Sequence, residues 1–148
     1  MSDDFIDARP PPVFWIIGAA ALLWNLFGVM MYVMTVTATP DTYAAQGYTQ
    51  EQINFAMSMP SWVTSAFAIA VNAGALGALF LLLRRSWSIP VFIVSLAAIV
   101  VLDIYNFIVR DTLNMLGMQA LLLQATILIV AVLLVVYARR ARRRGWLS

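Results

Sequence analysis

Residues 65–83 read SAFAIAVNAGALGALFLLL and contain no charged side chain. A helix of about 20 apolar residues is long enough to cross the hydrocarbon core of a bilayer, so the run over residues 62–83 predicts a membrane span. Small residues recur at every fourth position and form a stripe, with Gly77 beside it: Ala66, Ala70, Gly74 and Ala78. Such stripes let helix backbones approach closely in lipid, and we therefore expect this helix to be the most contacted of the fold.

Three further apolar runs of similar length occupy residues 13–36, 89–109 and 116–138. The composition agrees, because 63% of the 148 residues are hydrophobic and 11% are charged, against about 25% charged in soluble domains. We expect an all-α fold, a four-helix transmembrane bundle over residues 13–138. The leader, residues 1–12, carries three aspartates and one arginine, unlike the positive start of a cleaved signal peptide, so the first run is expected to be a retained span.

The first span has a small-residue face of its own, on which Gly18 and Gly28 share one side of the helix with Asn25. Faces of this kind pack helices within one chain or join separate chains, and the sequence leaves both open. Four short spans enclose little space, which favours a homo-oligomer.

Eight of the nine arginines fall at one end of the predicted bundle, and only Arg110 falls at the other. The positive-inside rule assigns the arginine-rich side to the cytoplasm, so both termini are predicted to be cytoplasmic. Five of these arginines belong to the basic tail, residues 139–148. Directly after a span, such a tail is expected to contact anionic lipid rather than nucleic acid.

The first outer loop contains the signals of a short helix over residues 49–59. Thr49 is a good N-cap, Gln52 completes a capping box, and Pro60 ends the helix. An apolar side favours a position on the membrane surface. This helix is interpreted either as a lid over an outward-facing site or as a simple connector.

Polar side chains within spans are candidates for function. At 1.5 Å per residue, four of them reach the outer half of the bilayer and are expected to form one polar layer: Asn25, Asn72, Asp103 and Gln124. Asn106 and Arg110 share a helix face with Asp103, which suggests that Arg110 reaches the carboxylate through Asn106. Trp24 and Tyr105 are the predicted aromatic lining. The layer is interpreted as a proton-coupling or substrate-binding site, or as an interhelical hydrogen-bond clamp.

The chain contains no cysteine, histidine or lysine. Thiolate and imidazole catalysis and Schiff-base chemistry are therefore excluded, and we expect neither an enzyme nor a bound cofactor. Thioethers suit Cu(I), which makes an outward-facing metal site a minor hypothesis for four methionines: Met57, Met59, Met115 and Met118. The alternative is that these methionines fill irregular gaps between apolar side chains.

Three segments carry a family resemblance: LLWNLFGVMMYVMT at residues 22–35, MPSWVTSAFAIAVNAGALGALFLLLRRSW at 59–87 and IPVFIVSL at 89–96. Together they resemble a family of small four-span bacterial inner-membrane proteins often labelled "sugar transporter". The resemblance implies solute transport and an inner-membrane location, and it implies no site residue. A transporter of small solutes, with sugars named by that label, is the first expectation, and a non-transporting accessory or scaffold protein is the alternative.

Overall fold

The computed structural model describes residues 8–148, in which all regular secondary structure is helical. Seven helices follow one another in this part of the chain: α1 (Pro12–Thr37), α2 (Pro40–Ala45), α3 (Gln50–Met57), α4 (Ser61–Leu82), α5 (Ser88–Ile104), α6 (Thr112–Leu116) and α7 (Met118–Arg143). A π-helical turn, Tyr105–Val109, continues α5. The first seven residues of the predicted leader lie outside the described range.

Four helices are long and apolar enough to cross a membrane: α1, α4, α7 and the combined segment Ser88–Val109, with mean hydropathies of 2.0 to 2.7. The prediction of an all-α protein with four membrane-crossing helices is confirmed at this level. The chain is accordingly a multi-pass membrane protein. The one-turn helix α6 lies between the third and fourth predicted spans and reaches the first residue of the fourth, Leu116.

Helix α4 lies between α1 and α5 and contacts both along their lengths, while α7 packs against α5. Its small residues make this possible. Gly77 faces the ring of Phe92 on α5, and Gly18 of α1 faces Leu82 of α4. The Oγ atom of Ser95 on α5 donates a hydrogen bond of 2.6 Å to the carbonyl of Ala70. Ala78 is fully buried, whereas Ala66 is only partly buried.

The end of the bundle that holds Arg84, Arg85 and the arginines of α7 is called the arginine-rich end below. All four long helices meet there around Phe14, which is fully buried. Its ring stacks against Tyr137 of α7 at 6.4 Å between centroids and meets the edge of Trp146 at 5.9 Å. This aromatic cluster closes the bundle at the arginine-rich end.

The predicted basic tail, residues 139–148, begins as helix and then folds back onto the bundle. Helix α7 continues to Arg143, because Ala138 and Ala141 are buried in the cluster around Phe14. Gly145 then adopts a left-handed conformation, with φ of 72°, and reverses the chain. The last residues return to the turn between α4 and α5, where Ser148 exchanges backbone hydrogen bonds with Arg84 and Ser86 at 2.8 and 2.7 Å.

The bundle is thinner at the opposite end. A smaller apolar cluster there joins α4, α5 and α7 around Val63, Ile99 and Leu102. In this half, helix α1 packs against α4 through an edge-to-face pair of Tyr32 and Phe67, whose ring centroids are 5.4 Å apart. At the opposite end, α4, α5 and α7 therefore form a three-helix cluster, and α1 packs on the side of α4. This end of the bundle holds the candidate site.

Candidate functional site

The candidate site is centred on Asp103, near the end of α5. Its Oδ1 atom accepts a hydrogen bond of 2.9 Å from Nε2 of Gln124 on α7. Both side chains are half-buried, and Leu102 and Leu128 beside them belong to the apolar cluster of α4, α5 and α7. The pair therefore joins two helices at membrane depth through a carboxylate and a neutral amide.

A π-turn begins at Tyr105, two residues after Asp103. The backbone N–H of Arg110 donates to the carbonyl of Tyr105 at 3.0 Å, five residues earlier, and Asp111 then takes a left-handed φ of 53°. A turn of this kind inserts an extra residue into the helical register and often marks a functional segment. Residues after the turn are therefore displaced from the face that a regular helix would give them.

Arg110 illustrates this displacement. Its guanidinium lies 3.9 Å from the ring centroid of Phe55 and donates hydrogen bonds to the Phe55 carbonyl and to Oγ of Ser58. The predicted approach of Arg110 to Asp103 through Asn106 is wrong. Within residues 8–148, no hydrogen bond joins the half-buried Asn106 side chain to either residue, because the π-turn directs Arg110 toward α3.

Helix α3 spans Gln50–Met57, within the residues for which the sequence predicts a helix. The Thr49 hydroxyl accepts from the Gln52 N–H at 3.2 Å, and the Gln52 side-chain oxygen accepts from the Thr49 N–H at 3.1 Å. Gln52 also donates from Nε2 to the Met115 carbonyl at 3.3 Å, and Ile53 is buried. Helix α3 is thus fixed to the segment that follows the π-turn.

Helix α2 was not predicted from the sequence, although its signal is present. Thr39 caps it through a reciprocal pair with Thr42, and Pro40 occupies the first helical position, where proline is favoured. The signal is only six residues long and has no apolar periodicity, which is why it does not stand out in the sequence.

Replacing Arg110 by glutamine is expected to loosen α3. The substitution removes the contacts of a charged donor, each of which is typically worth about 1.5 kcal/mol or more, so the amides of α3 should exchange with deuterium about tenfold faster. Arg85→Gln, at the arginine-rich end and exposed, is the control. Hydrogen exchange with mass spectrometry measures the effect, and equal exchange of α3 in both variants would show that Arg110 does not hold it.

Two of the predicted polar residues lie apart from the Asp103–Gln124 pair. Asn25 donates from Nδ2 to its own helix at Ala21, 2.8 Å away, and its side chain packs against Gly74 of α4, where a Cβ atom would overlap its oxygen. Asn72 is exposed and donates to the carbonyl of Ala68 at 2.8 Å. The expected single layer of four polar side chains is therefore not formed, because each of these amides bonds to its own helix.

The predicted aromatic lining is also split. Trp24 is 38% exposed and pairs with no other ring in the described part of the chain, whereas Tyr105 meets Trp62 of α4 edge to face, with centroids 4.9 Å apart. The rings of Tyr105 and Trp62 border a shallow apolar groove of about 260 Å³. Trp62 is not among the site residues predicted from the sequence, because its contact with Tyr105 depends on how α4 packs against α5.

The four methionines of the minor metal-site hypothesis differ in burial. Met59 packs into the apolar cluster with Val63 and Leu102, which is the gap-filling use of methionine. Met57 is 50% exposed and Met118 is 59% exposed, whereas Met115 is half-buried. Residues 8–148 hold no group of three or more aspartate, glutamate, histidine or cysteine side chains placed to bind a metal ion.

The fold and the site define the class of this chain as an all-helical, multi-pass membrane protein with one hydrogen-bonded carboxylate among its spans. Comparison with models of known protein families, with curated proteins and with solved structures finds no match. The functional assignment accordingly depends on the geometry around Asp103.

Proposed function

We propose that this protein is a small-solute carrier of the bacterial inner membrane that acts as an oligomer, with sugars as the solute class. The observation that supports the proposal is the Asp103–Gln124 pair. A carboxylate within a span is costly and commonly marks a solute or proton pathway. This one is paired with a neutral amide, so its charge is not neutralised by the protein.

The chemistry of the pair suits a polyhydroxylated solute. Within residues 8–148, Asp103 makes its side-chain hydrogen bond through Oδ1 to Gln124, which leaves Oδ2 as an acceptor for hydroxyl groups. The amide oxygen of Gln124 is a second acceptor.

The arginine distribution supports an orientation with both termini in the cytoplasm, since Arg110 alone among the nine arginines lies away from the arginine-rich end. In this orientation Asp103 occupies the outer half of the bilayer. Helix α3 then lies on the outer side, held by Arg110, as a cover near the site. The arginines of α7 face the cytoplasmic leaflet, where anionic lipid attracts them.

A second candidate function is that of a non-transporting accessory or scaffold protein. It is favoured by the contacts of Asn25 with Gly74 and of Ser95 with Ala70, in which polar side chains serve helix packing. On this reading the Asp103–Gln124 bond is one more interhelical clamp, of the kind that contributes about 0.6–2 kcal/mol in membranes.

Uptake into proteoliposomes distinguishes the two functions. Wild-type protein should accumulate at least one solute from a panel of radiolabelled pentoses, hexoses and disaccharides, and Asp103→Asn should reduce uptake to the level of empty vesicles. Asparagine keeps the size of the side chain and a carbonyl acceptor for Gln124, so the variant should retain its fold. Asp111→Asn is the matched control, because Asp111 is an exposed acid that bonds to Asn114 at 2.7 Å outside the spans.

A different result would support the accessory function. If wild-type vesicles take up none of the panel, and Asp103→Asn changes only the melting temperature, the carboxylate is a structural clamp and the accessory function stands. If Asp103→Asn and Asp111→Asn both retain the uptake of the wild-type protein, the solute pathway does not include Asp103.

A further inference from the structure

Asn72 has a position that neither the candidate site nor the helix packing explains. It lies halfway along α4 on a face that the rest of the chain leaves open. Its Nδ2 atom donates to the Ala68 carbonyl, which leaves one N–H and the amide oxygen with no hydrogen-bond partner in residues 8–148. Lipid chains supply no partner, and an unpaired polar group in the hydrocarbon region is costly.

The amide borders a groove of about 450 Å³ between α4 and α5. Eight residues line this groove, and six of them are called the Asn72 face here: Ile69, Asn72 and Leu76 on α4, Trp87 directly before α5, and Val91 and Val94 on α5. Ala73 and Pro90 complete its lining, and a small residue at such a place permits close approach of a helix. The Asn72 face is thus a shaped apolar surface with one hydrogen-bonding group.

We propose that the Asn72 face binds the same face of a second copy of this chain. A carboxamide carries both a donor and an acceptor, so two Asn72 side chains related by a twofold axis satisfy each other. Both copies insert in the same orientation, and the axis therefore runs along the membrane normal, which brings equal depths together in a self-complementary contact. The ridge formed by Ile69 and Leu76 of each copy enters the groove of the other.

Another exposed polar side chain shows why Asn72 is singled out. Thr126 of α7 is exposed within its span and donates to the Leu122 carbonyl at 2.8 Å. The threonine hydroxyl has one hydrogen to donate, and that bond uses it. Asn72 makes the same type of bond and still has a second N–H in need of a partner. The unmet N–H of Asn72 therefore distinguishes the middle of the α4 face from the part of the α7 face that carries Thr126.

The proposed function includes an oligomer, and the Asn72 face is the contact surface that we assign to it. Its test needs no transport measurement, so a failure of the interface and a failure of the carrier assignment can be told apart.

Disulfide cross-linking in native membranes tests the interface, because the chain has no cysteine. Leu76→Cys should form a species of twice the chain mass on mild oxidation. Leu133→Cys is the matched control, since Leu76 and Leu133 lie at the same distance along α4 and α7 from their first residues, Ser61 and Met118. Leu133 is also the more exposed of the two, at 59% against 47%, so random collisions favour the control.

A second substitution tests the amide itself. Asn72→Leu should weaken the self-association of the purified protein about tenfold, measured by concentration-dependent energy transfer in micelles, whereas Thr126→Leu should leave it unchanged. Dimer-specific cross-links of Leu76→Cys together with this difference support the interface. Cross-links of Leu133→Cys that equal or exceed those of Leu76→Cys, a Leu76→Cys adduct with a different protein only, or unchanged association of Asn72→Leu would each overturn it.

Discussion

Gly77→Ala is expected to lower the free energy of unfolding by about 2 kcal/mol. A Cβ atom at this position would lie 2.6 Å from Cδ1 and 2.8 Å from Cε1 of Phe92. The phenylalanine ring is rigid and only 2% exposed, so it has no space into which to move. Overpacking costs about 1–3 kcal/mol, and the upper end applies here because the ring cannot move. The better helix propensity of alanine returns about 1 kcal/mol, which leaves a net loss of about 2 kcal/mol.

Gly28→Ala provides a matched control for this prediction. Gly28 is also within a long helix, but the nearest atom to its added Cβ would be Cγ1 of Val71 at 3.3 Å, a contact that a shift of a few tenths of an ångström relieves. Its unfolding free energy should change little or increase slightly. Unfolding in mixed detergent micelles, followed by circular dichroism, compares the two variants. Equal stabilities would mean that α4 and α5 are not in contact at Gly77 and that the bundle is packed differently.

The four long helices were predictable from the sequence because the signal for a span is local. A run such as residues 65–83 is apolar throughout, and in lipid a helix is required to satisfy its backbone. The small residues of that run also predicted close packing of α4, and Gly74 and Gly77 lie at its contacts with α1 and α5. The composition of the chain and the spacing of its small residues were therefore enough to predict most of the architecture.

The site was only partly predictable, because side-chain pairing depends on helix rotation. The rise per residue predicted similar depths for Asp103 and Gln124, but depth alone cannot tell which amide meets the carboxylate. Asn72 lies at membrane depth too and faces outward. The π-turn after Ile104 has no sequence signature, so the turn of Arg110 toward Phe55 could not be foreseen.

The closed arginine-rich end was missed for a related reason. Residues 139–148 were predicted to be a basic tail in contact with anionic lipid, because five arginines dominate the segment. In the structure its apolar residues decide its position, since Trp146 contacts Phe14 and Leu147 is buried in the same cluster. A contact between residues more than a hundred positions apart leaves no local pattern.

The central claim is that Asp103 belongs to a solute site open to water, and thiol labelling tests it most directly. A carrier site must be hydrated when it faces outward, whereas a structural clamp between helices is not. Cysteine reacts with a maleimide as the thiolate, which needs water, and the chain has no native cysteine to interfere.

Asp103→Cys is compared with Ile104→Cys in intact inverted and right-side-out vesicles. Ile104 is the next residue of α5 and is 52% exposed on the outer face of the bundle, so it contacts lipid at the same depth. We expect a membrane-impermeant maleimide to label Asp103→Cys from the side opposite the arginine-rich end and to leave Ile104→Cys unmodified. If Asp103→Cys is as inert as Ile104→Cys from both sides, in a variant that keeps the wild-type melting temperature, the site is closed to water and the carrier account is contradicted.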